Sequence, residues 1–212
     1  MKVVIVNTGS GNILSLKRAI EFFHNDVSVT DDSNKILSSN KIFFPGVGAF
    51  KKVMNNLKEK KLIDTMIRIS EKNIPLFGIC LGLQLFFDES EEFGLSEGLG
   101  LIEGKVEKLP SKSIENKKIK VPSIGWYNLN YHFKDENSHL FSKNMTFNNP
   151  FYFVHSYYVK PKNKNQIVAT YNFGGYEIPA IVSKNNVIGC QFHPEKSSKQ
   201  GLNLISKFLN NK

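Results

Sequence analysis

The sequence predicts an α/β protein with an open, mostly parallel central sheet and added antiparallel strands in the C-terminal half. In the first half, short apolar runs alternate with stretches of helical periodicity, which is typical of parallel βαβ units. In the second half, short strand-like runs follow one another with few helices between them, which favours antiparallel hairpins. The 212 residues can bury one full core and no linker divides them, so we expect a single domain over residues 1–212.

The elements of the first half follow from hydrophobic periodicity. Short apolar runs predict strands at Lys2–Val6, Val27–Thr30, Lys41–Phe44 and Pro75–Ile79. Apolar residues three or four positions apart predict helices over about Ile13–Phe23, Phe50–Leu57, Leu62–Glu71 and Leu81–Phe87.

The second half is predicted to consist mainly of strands, with a hairpin turn at Asn185-Asn186 and a closing helix over Gly201–Leu209. The polar, lysine-rich segment Pro110–Lys120 is predicted to be a mobile loop. The strands are expected at Leu101–Leu109, Ile124–Tyr131, Phe151–Val159, Ile167–Tyr171, Pro179–Ser183 and Val187–Phe192.

Composition and charge narrow the class of protein. No apolar run approaches the ~20 residues of a membrane-spanning helix, and the amino terminus reads as a strand rather than a secretion signal, so we expect a cytoplasmic protein outside the membrane. The net charge of +9 suggests nucleic-acid binding, but Arg18 and Arg68 are the only arginines and the lysines are scattered. We therefore expect no nucleic-acid partner, although a basic face can attract a phosphorylated substrate or an acidic protein surface.

Cys80 is the first candidate for chemistry. Cys80 and Cys190 form no CxxC pair and lack zinc-ligand spacing, so we expect no metal. Cys80 lies between Gly78 and Gly82 where a predicted strand meets a predicted helix, which is typical of a nucleophile elbow. The helix N-terminus would favour the thiolate, and the Leu81 N–H would donate to an oxyanion hole. A buried structural cysteine is the alternative interpretation here, and Cys190 is interpreted as a small buried hydrophobe.

His193 and Glu195 form the second candidate pattern. They follow the predicted strand Val187–Phe192 at the same edge of the sheet and are separated by Pro194. A nucleophilic cysteine needs a base, and the base needs an acceptor that orients it. We therefore expect His193 to be the base and Glu195 to orient it, although a histidine at a strand end is often only a hydrogen-bonded surface group.

A glycine-rich loop, Pro45–Phe50, follows the third predicted strand. Its glycines would let the backbone approach a ligand, and the loop could supply a second oxyanion donor. Another Gly-x-Gly, at Gly9–Gly11, lacks the third glycine of a dinucleotide fingerprint, so we expect no nucleotide cofactor.

These patterns together resemble the class I (triad) glutamine amidotransferases, and within them the glutaminase subunits of imidazole glycerol phosphate synthase. The resemblance extends over the whole chain and implies an open three-layer α/β fold without a cofactor. The matching segments are Pro45-Gly-Val-Gly-Ala-Phe50, Gly78-Ile-Cys-Leu-Gly-Leu-Gln84, Tyr152-Phe-Val-His-Ser-Tyr157 and Gln191-Phe-His-Pro-Glu-Lys-Ser197.

The resemblance implies a role for each matching residue. Cys80 would attack the side-chain amide of L-glutamine, His193 would carry protons, and Glu195 would hold His193. A glutamyl thioester would form and then be hydrolysed to glutamate. The oxyanion hole would use Val47, Gly48 and Leu81, within a loop that the partner switches on. The glutamine pocket would be formed by Gly46, Gly48, Gln84, Glu92, Ser156 and Tyr157.

The resemblance also implies a partner, a (β/α)8-barrel cyclase subunit that receives the ammonia through a channel in a heterodimer. The surface facing it would include Asn12, Trp126, Tyr152 and Lys196. From the residues alone, Trp126 could equally be a core anchor, Tyr152 an ordinary strand aromatic, and Lys196 a solvated lysine.

One segment departs from the family pattern. The family usually reads Pro-His-Met-Gly-Trp-Asn near the partner surface, whereas this chain has Ser123 for the histidine and Tyr127 for the asparagine. The triad is unaffected, so the departure concerns only the acceptor of the ammonia. The alternative acceptor is a surface-glycan sugar, amidated through a similar barrel partner by paralogues of this subunit.

Overall fold

A computed structural model describes residues 1–132 and 148–211 of the chain. The single-domain prediction also includes residues 133–147 and 212, which lie outside the described residues. Among the described residues, no helix is both long and apolar enough to cross a bilayer.

The first half has the predicted alternation of strands and helices. Its helices are α1 (Ile13–Glu21), α2 (Ser33–Leu37), α3 (Phe50–Glu59), α4 (Ile63–Glu71) and α5 (Leu81–Gln84). Its strands are β1 (Val3–Val6), β2 (Val27–Thr30), β3 (Lys41–Gly46), β4 (Leu76–Cys80) and β5 (Phe87–Ser90).

The second half consists mainly of strands and ends in a helix, α6 (Ser198–Asn210). Short 3₁₀ turns lie at Lys164–Gln166 and Pro194–Lys196. The strands are β6 (Ser96–Glu97), β7 (Ile102–Lys108), β8 (Ser123–Tyr127), β9 (Asn130–Tyr131), β10 (Phe151–His155), β11 (Tyr157–Pro161), β12 (Ile167–Phe173), β13 (Tyr176–Lys184) and β14 (Val187–Cys190).

The central sheet confirms the predicted fold class. Its eight strands have the order β2-β1-β3-β4-β14-β13-β12-β9 in the described part of the chain. The first five strands in this order, β2-β1-β3-β4-β14, pair in parallel. The other three, β13, β12 and β9, are added in antiparallel orientation. The predicted turn at Asn185-Asn186 joins β13 to β14, and Asn185 has the positive φ of 54° that such tight turns require.

The prediction that all later strands extend this sheet is wrong for three segments, the first of which, Leu101–Leu109, forms β7 in a sheet apart from the central one. The run predicted at Phe151–Val159 divides at Ser156 into β10, which pairs with β8, and β11, which joins a separate sheet of order β11-β7-β5-β6. The run predicted at Ile124–Tyr131 likewise divides into β8 and β9, which pair with different neighbours. Each segment is continuously strand-like, and only tertiary pairing decides where the chain changes sheets.

The helix predicted over Leu81–Phe87 is too long. It ends at Gln84, and β5 begins at Phe87, because the Leu85 and Phe86 carbonyls accept hydrogen bonds from Leu99 and from residues 101–102 instead of continuing the helix. A short apolar run of this length does not distinguish a helix from a strand.

Two other local features were not predicted. Helix α2 was not predicted; it starts at Asp32, whose carboxylate accepts from the amides of Asn34 and Lys35. The lysine-rich segment 110–120, predicted as a loop, is closed by internal backbone hydrogen bonds and joined to the β12–β13 turn by one from Ile114 N–H to Gly174 O at 2.9 Å.

The central sheet is covered on both faces, which gives the implied three layers. Along β1, Val3 and Ile5 belong to one buried cluster and Val4 and Val6 to the other, because successive side chains point to opposite faces. Helices α1 and α6 cover the first face together with the β8–β10 ribbon, while α3, α4 and the four-stranded sheet cover the second. The carboxyl ends of β3, β4 and β14 therefore open at one edge between two packed layers.

Lys41 ties the last helix to the sheet. Its side chain is buried, and its Nζ donates to the Phe208 carbonyl at 2.6 Å and to the Asn211 carbonyl at the C-terminal end of α6. Burial lowers the pKa of the Lys41 ammonium. The carbonyls in the last turn of a helix have no N–H donor within the helix. A cation at this position supplies a donor and a favourable charge.

Replacing Lys41 by Met should therefore lower the free energy of unfolding by about 1–3 kcal/mol, because two helix-terminal carbonyls lose their donor. Urea denaturation measures the change. The exposed Lys72→Met is the matched control and should stay within about 0.5 kcal/mol of the native chain. Equal losses in the two variants would contradict the anchoring role of Lys41.

Candidate active site

Cys80 is held in a strained turn between β4 and α5. Its φ of 54° and ψ of −109° lie outside the regions that most residues adopt. The flanking glycines make the turn possible: a Cβ on Gly82 would lie 1.8 Å from the Phe44 carbonyl oxygen, and one on Gly78 would lie 2.4 Å from the Phe86 ring. The predicted strand–cysteine–helix geometry is confirmed, with Leu81 in the first helical turn, where amides lack intrahelical acceptors.

His193 and Glu195 lie beside this turn because β14 runs parallel to β4. His193 Nδ1 and Glu195 Oε1 are 2.9 Å apart, and only 5% and 3% of the two side chains are exposed. Since the carboxylate accepts, Nδ1 carries the proton, which leaves Nε2 for the Cys80 sulfur. Pro194 starts a 3₁₀ turn that brings Glu195 back toward the imidazole ring.

The electrostatics favour a charged imidazole. Burial lowers the pKa of His193, but hydrogen bonds and charge interactions with Cys80 and Glu195 outweigh burial and raise it to about 10. The Glu195 carboxylate favours the charged imidazole, and little water reaches this buried pair to screen the interaction. His193 is therefore protonated near neutral pH and can act as an acid toward a leaving group.

Cys80 and His193 open on a cleft of about 280 Å³ that brings most of the predicted pocket residues together. Gly46 and Glu195 do not line this cleft; they lie behind it, around a narrow gap that Asn12 and His193 also line. In the described part of the chain, no three or more His, Cys, Asp or Glu side chains are arranged to hold a metal ion. The cleft is lined by Val47, Gly48, Cys80, Leu81, Gln84, Glu92, Val154, His155, Ser156, Tyr157 and His193.

The backbone amide of Val47, a predicted oxyanion donor, already donates a hydrogen bond within the protein. Val47 N–H donates to Ser10 Oγ at 3.0 Å, and the Ser10 hydroxyl contacts the Val47 carbonyl oxygen. The next residue, Gly48, has a φ of +95°, and no heavy atom of residues 1–132 or 148–211 lies within 4 Å of a Cβ built on it beyond its own chain neighbours, so these residues leave space around the loop. The loop in this conformation directs the Val47 amide toward Ser10.

The predicted partner residues lie around the His193 segment. Trp126 is 51% exposed and its ring packs at a tilt against that of Tyr152, with ring centroids 5.7 Å apart, so the interpretation of Trp126 as a core anchor is wrong. The Tyr152 carbonyl accepts from His193 N–H at 2.9 Å, and Tyr152 N–H donates to Ser197 Oγ at 3.0 Å. Ser197 Oγ in turn donates to the His193 carbonyl at 2.6 Å. Lys196 is exposed on the 3₁₀ turn that follows His193.

The two residues that depart from the family pattern face the interior. Ser123 is buried near the Tyr171 hydroxyl. The Tyr127 ring is half-buried, with its centroid 4.9 Å from that of Tyr171 and 5.6 Å from that of Phe153. Cys190 is fully buried, as predicted, and burial raises the pKa of its thiol.

Sequence reasoning missed His155, Gln191 and Ser10. His155 and Gln191 lie inside the segments that carry the family resemblance, which is the signal that could have selected them. His155 Nδ1 lies 2.8 Å from the Tyr157 carbonyl oxygen, and its Nε2 lies 2.8 Å from the Tyr171 hydroxyl. No local pattern singles out Ser10, because its contact with Val47 depends on two loops from different parts of the chain.

A strained cysteine after a central parallel strand, a buried histidine–glutamate pair and an adjoining cleft are the features of an α/β enzyme with a Cys-His-Glu triad. The family model described as glutamine amidotransferase class-I matches residues 4–211, and the chain belongs to this family. Family membership makes the chain an enzyme with glutaminase activity.

Similar proteins agree with this family. The chain is 38% identical over 208 residues to imidazole glycerol phosphate synthase subunit HisH 1 of Legionella pneumophila (strain Lens), with 98% of each protein covered. It is 39% identical over 206 residues to the HisH subunit of Moorella thermoacetica, covering 97% of this chain and 93% of the relative. The solved structure of PurLQS from Thermotoga maritima matches with a TM-score of 0.71 and 19% identity, covering 99% of this chain and 97% of that one, which shows a shared fold.

The buried His155 should make stability depend on pH. Burial lowers its pKa to about 4 from an ordinary value of 6.5, so between these values the unfolded chain binds a proton that the folded chain does not. The free energy of unfolding should therefore fall as pH drops from 6.5 to 4, by up to about 3 kcal/mol from this group.

Urea denaturation of the native chain and of His155→Gln across this pH range tests the effect. The variant should show a shallower fall between pH 6.5 and 4, whatever its stability at neutral pH. Identical slopes would contradict a neutral, buried His155. His193 is present in both chains, so its own contribution to the pH dependence is common to the two and cancels in the comparison.

Proposed function

We propose that the chain is the glutaminase subunit of imidazole glycerol phosphate synthase, which hydrolyses glutamine and passes the ammonia to a (β/α)8-barrel cyclase subunit in histidine biosynthesis. The observation that carries the proposal is the buried Cys80–His193–Glu195 arrangement beside a cleft that Gln84 and Glu92 line. Identity of 38–39% over nearly the full length to proteins named as HisH subunits supports the pathway.

Two side chains are placed to bind the amino-acid end of glutamine. Gln84 Nε2 donates to the Tyr157 carbonyl at 2.9 Å and to Gln191 Oε1 at 3.0 Å, so its Oε1 is the atom left to accept from the substrate ammonium. Glu92 Oε2 accepts from Phe50 N–H at 2.6 Å, which fixes the carboxylate and leaves Oε1 for the same ammonium. The backbone at Ser156 and Tyr157 lines the cleft beside them.

In the first half-reaction, the Cys80 thiolate attacks the side-chain amide carbon of glutamine. Charge develops on the amide oxygen, where the N–H groups of Leu81 and of the Val47–Gly48 loop would stabilise it. His193, protonated because of its raised pKa, gives its proton to the departing nitrogen, so ammonia leaves and a glutamyl thioester remains.

In the second half-reaction, His193 is neutral and acts as the base. It takes a proton from water, the resulting hydroxide attacks the thioester, and glutamate leaves as the thiolate returns to Cys80. Glu195 holds the ring through Nδ1 in both steps, so that Nε2 faces the reacting atoms. No cofactor takes part in this sequence.

We infer that the loop at Val47 sets the basal activity. A donor that is bound to Ser10 Oγ cannot stabilise an oxyanion, so the loop must turn before the second donor is available. Gly48 is the residue able to absorb that turn, because it has a positive φ and open space around it. This supports a subunit that is slow alone and is activated when its partner binds ligand.

We propose that the partner covers the surface formed by Asn12, Trp126, Tyr152 and Lys196, in a heterodimer. The relatives reported above are named as subunits, which supports a complex. A cytoplasmic location suits a Cys80 nucleophile, since the cytoplasm keeps thiols reduced. We also infer that residues 1–212 form a single glutamine amidotransferase domain, which the family match over residues 4–211 supports.

The proposal predicts the outcome of a glutamate-release assay. The chain should be mixed with the barrel subunits of its own genome, one at a time, with and without the histidine-pathway ribonucleotide. A histidine-pathway barrel with its ribonucleotide should stimulate release strongly, and Cys80→Ala should reduce it by about 10³-fold or more. Cys190→Ala is the matched control and should keep activity within a few-fold.

Two results would contradict the proposal. Unchanged hydrolysis by Cys80→Ala would remove the triad assignment. Stimulation only by a sugar-locus barrel would move the chain to the sugar-amidating paralogues, which the names of the relatives do not favour. In that case Ser123 and Tyr127 become the residues to exchange next.

Ser10→Ala should raise glutaminase activity in the absence of the ribonucleotide, because the Val47 amide loses its competing acceptor. The expected increase is about ten-fold, the equivalent of one hydrogen bond of ~1.4 kcal/mol. Steady-state glutamate release measures it, with the surface variant Ser38→Ala as control. Basal activity equal to that of the native chain would exclude Ser10 as the group that holds the loop.

A further inference from the structure

Gln191 is a buried amide that the reaction described above does not use. It follows β14 directly and is completely buried between the nucleophile and the glutamine pocket. Its Nε2 lies 3.6 Å from Cys80 Sγ, and its Oε1 lies 3.0 Å from Gln84 Nε2. One side chain therefore contacts both the attacking atom and the amide that binds the substrate.

The surrounding hydrogen bonds fix which end of this amide faces the sulfur. The Tyr157 carbonyl oxygen can only accept, and it receives hydrogen bonds from His155 Nδ1 at 2.8 Å and from Gln84 Nε2 at 2.9 Å. Gln84 therefore presents an NH₂ group, and Gln191 must accept its second hydrogen through Oε1. The end of Gln191 that is left for Cys80 is an N–H donor.

His155 keeps the orientation of the Gln84 and Gln191 amides fixed. Burial lowers its pKa to about 4, so near neutral pH it has one ring proton, and the Tyr157 carbonyl requires that proton on Nδ1. Nε2 is then an acceptor for the Tyr171 hydroxyl, at 2.8 Å. All five groups are buried or half-buried, so water competes little for any of these bonds.

A hydrogen-bond donor beside the Cys80 sulfur stabilises one of its two protonation states more than the other. A thiolate accepts a hydrogen bond strongly, whereas a thiol is a weak acceptor, so an N–H aimed at Sγ favours the nucleophilic form. The same amide also limits where the sulfur can move within the strained elbow. His193 supplies the charge on one side of Cys80, and Gln191 supplies a neutral donor on another.

We propose that Gln191 is a positioning residue for glutamine hydrolysis: its amide holds the Cys80 thiolate and, through Gln84, fixes the nucleophile relative to the bound substrate. The inference rests on the proposed function of Cys80 as nucleophile. It adds a second link between substrate binding and attack, separate from the triad. Changes at Gln191 should therefore affect the reactivity of Cys80 even when no glutamine is present.

The test is the rate at which iodoacetamide alkylates Cys80 in the full chain between pH 6 and 8, followed by mass spectrometry of the Cys80 peptide. Gln191→Met keeps the length of the side chain but cannot donate, so alkylation at pH 6.5 should slow by about 10-fold or more. Gln191→Glu places an acceptor and a negative charge beside the sulfur and should slow it further. The buried Gln166→Met, outside the cleft, is the matched control and should react as the native chain does.

Steady-state kinetics in the stimulated complex give the second readout. Gln191→Met should lower kcat by about 10-fold and also raise KM, because Gln84 loses the acceptor that orients it; Gln166→Met should change neither. A folded Gln191→Met with native alkylation rates would overturn the proposal, and if that variant does not fold, native rates in Gln191→Glu would do so. Failure of the proposed function is detected separately, by glutamate release that survives Cys80→Ala.

Discussion

The pairing of β4 with two parallel neighbours is the constraint on which the rest of the site depends. β4 lies between β3 and β14, with Gly46 opposite Cys80 and Cys190 opposite Ile79. Because the strands run in the same direction, the Pro45–Phe50 loop, Cys80 and His193 all leave the sheet at one edge. A register shift of one residue in either pair would separate groups that must act within a few ångströms of each other.

The site combines a strained backbone at Cys80 with a buried charge at His193. Both are stable only because of the residues packed around them. The unfavourable backbone at Cys80 is stable because Gly78 and Gly82 admit Phe86 and Phe44 at distances that no other residue allows. The positive charge of His193 is sustained in a buried site because the Glu195 carboxylate lies 2.9 Å from its Nδ1. The layer packing therefore stabilises both the shape of the elbow and its charge.

Much of this could be predicted from the sequence, and the failures have physical reasons. Periodicity located the parallel strands, since β1, β3, β4 and β14 are short apolar runs between turn residues. The Gly78–Gly82 pattern located the elbow because only glycine fits there. Periodicity did not show that the chain changes sheets at Ser156 or that α5 ends at Gln84, since those boundaries depend on which distant backbone groups are available. The contacts of Ser10 and Gln191 were missed for the same reason, because each joins residues more than thirty positions apart.

The two hydrogen bonds between Tyr152 and the His193 segment have a mechanical consequence. Tyr152 is bound on one side to His193 N–H and on the other, through Ser197, to the His193 carbonyl, so the base is clamped to the outer β8–β10 ribbon. Trp126, half-exposed, is the outermost ring of that ribbon. A shift of this ribbon would therefore also displace the backbone of His193, so that a contact made at Trp126 could act on the imidazole from outside the cleft.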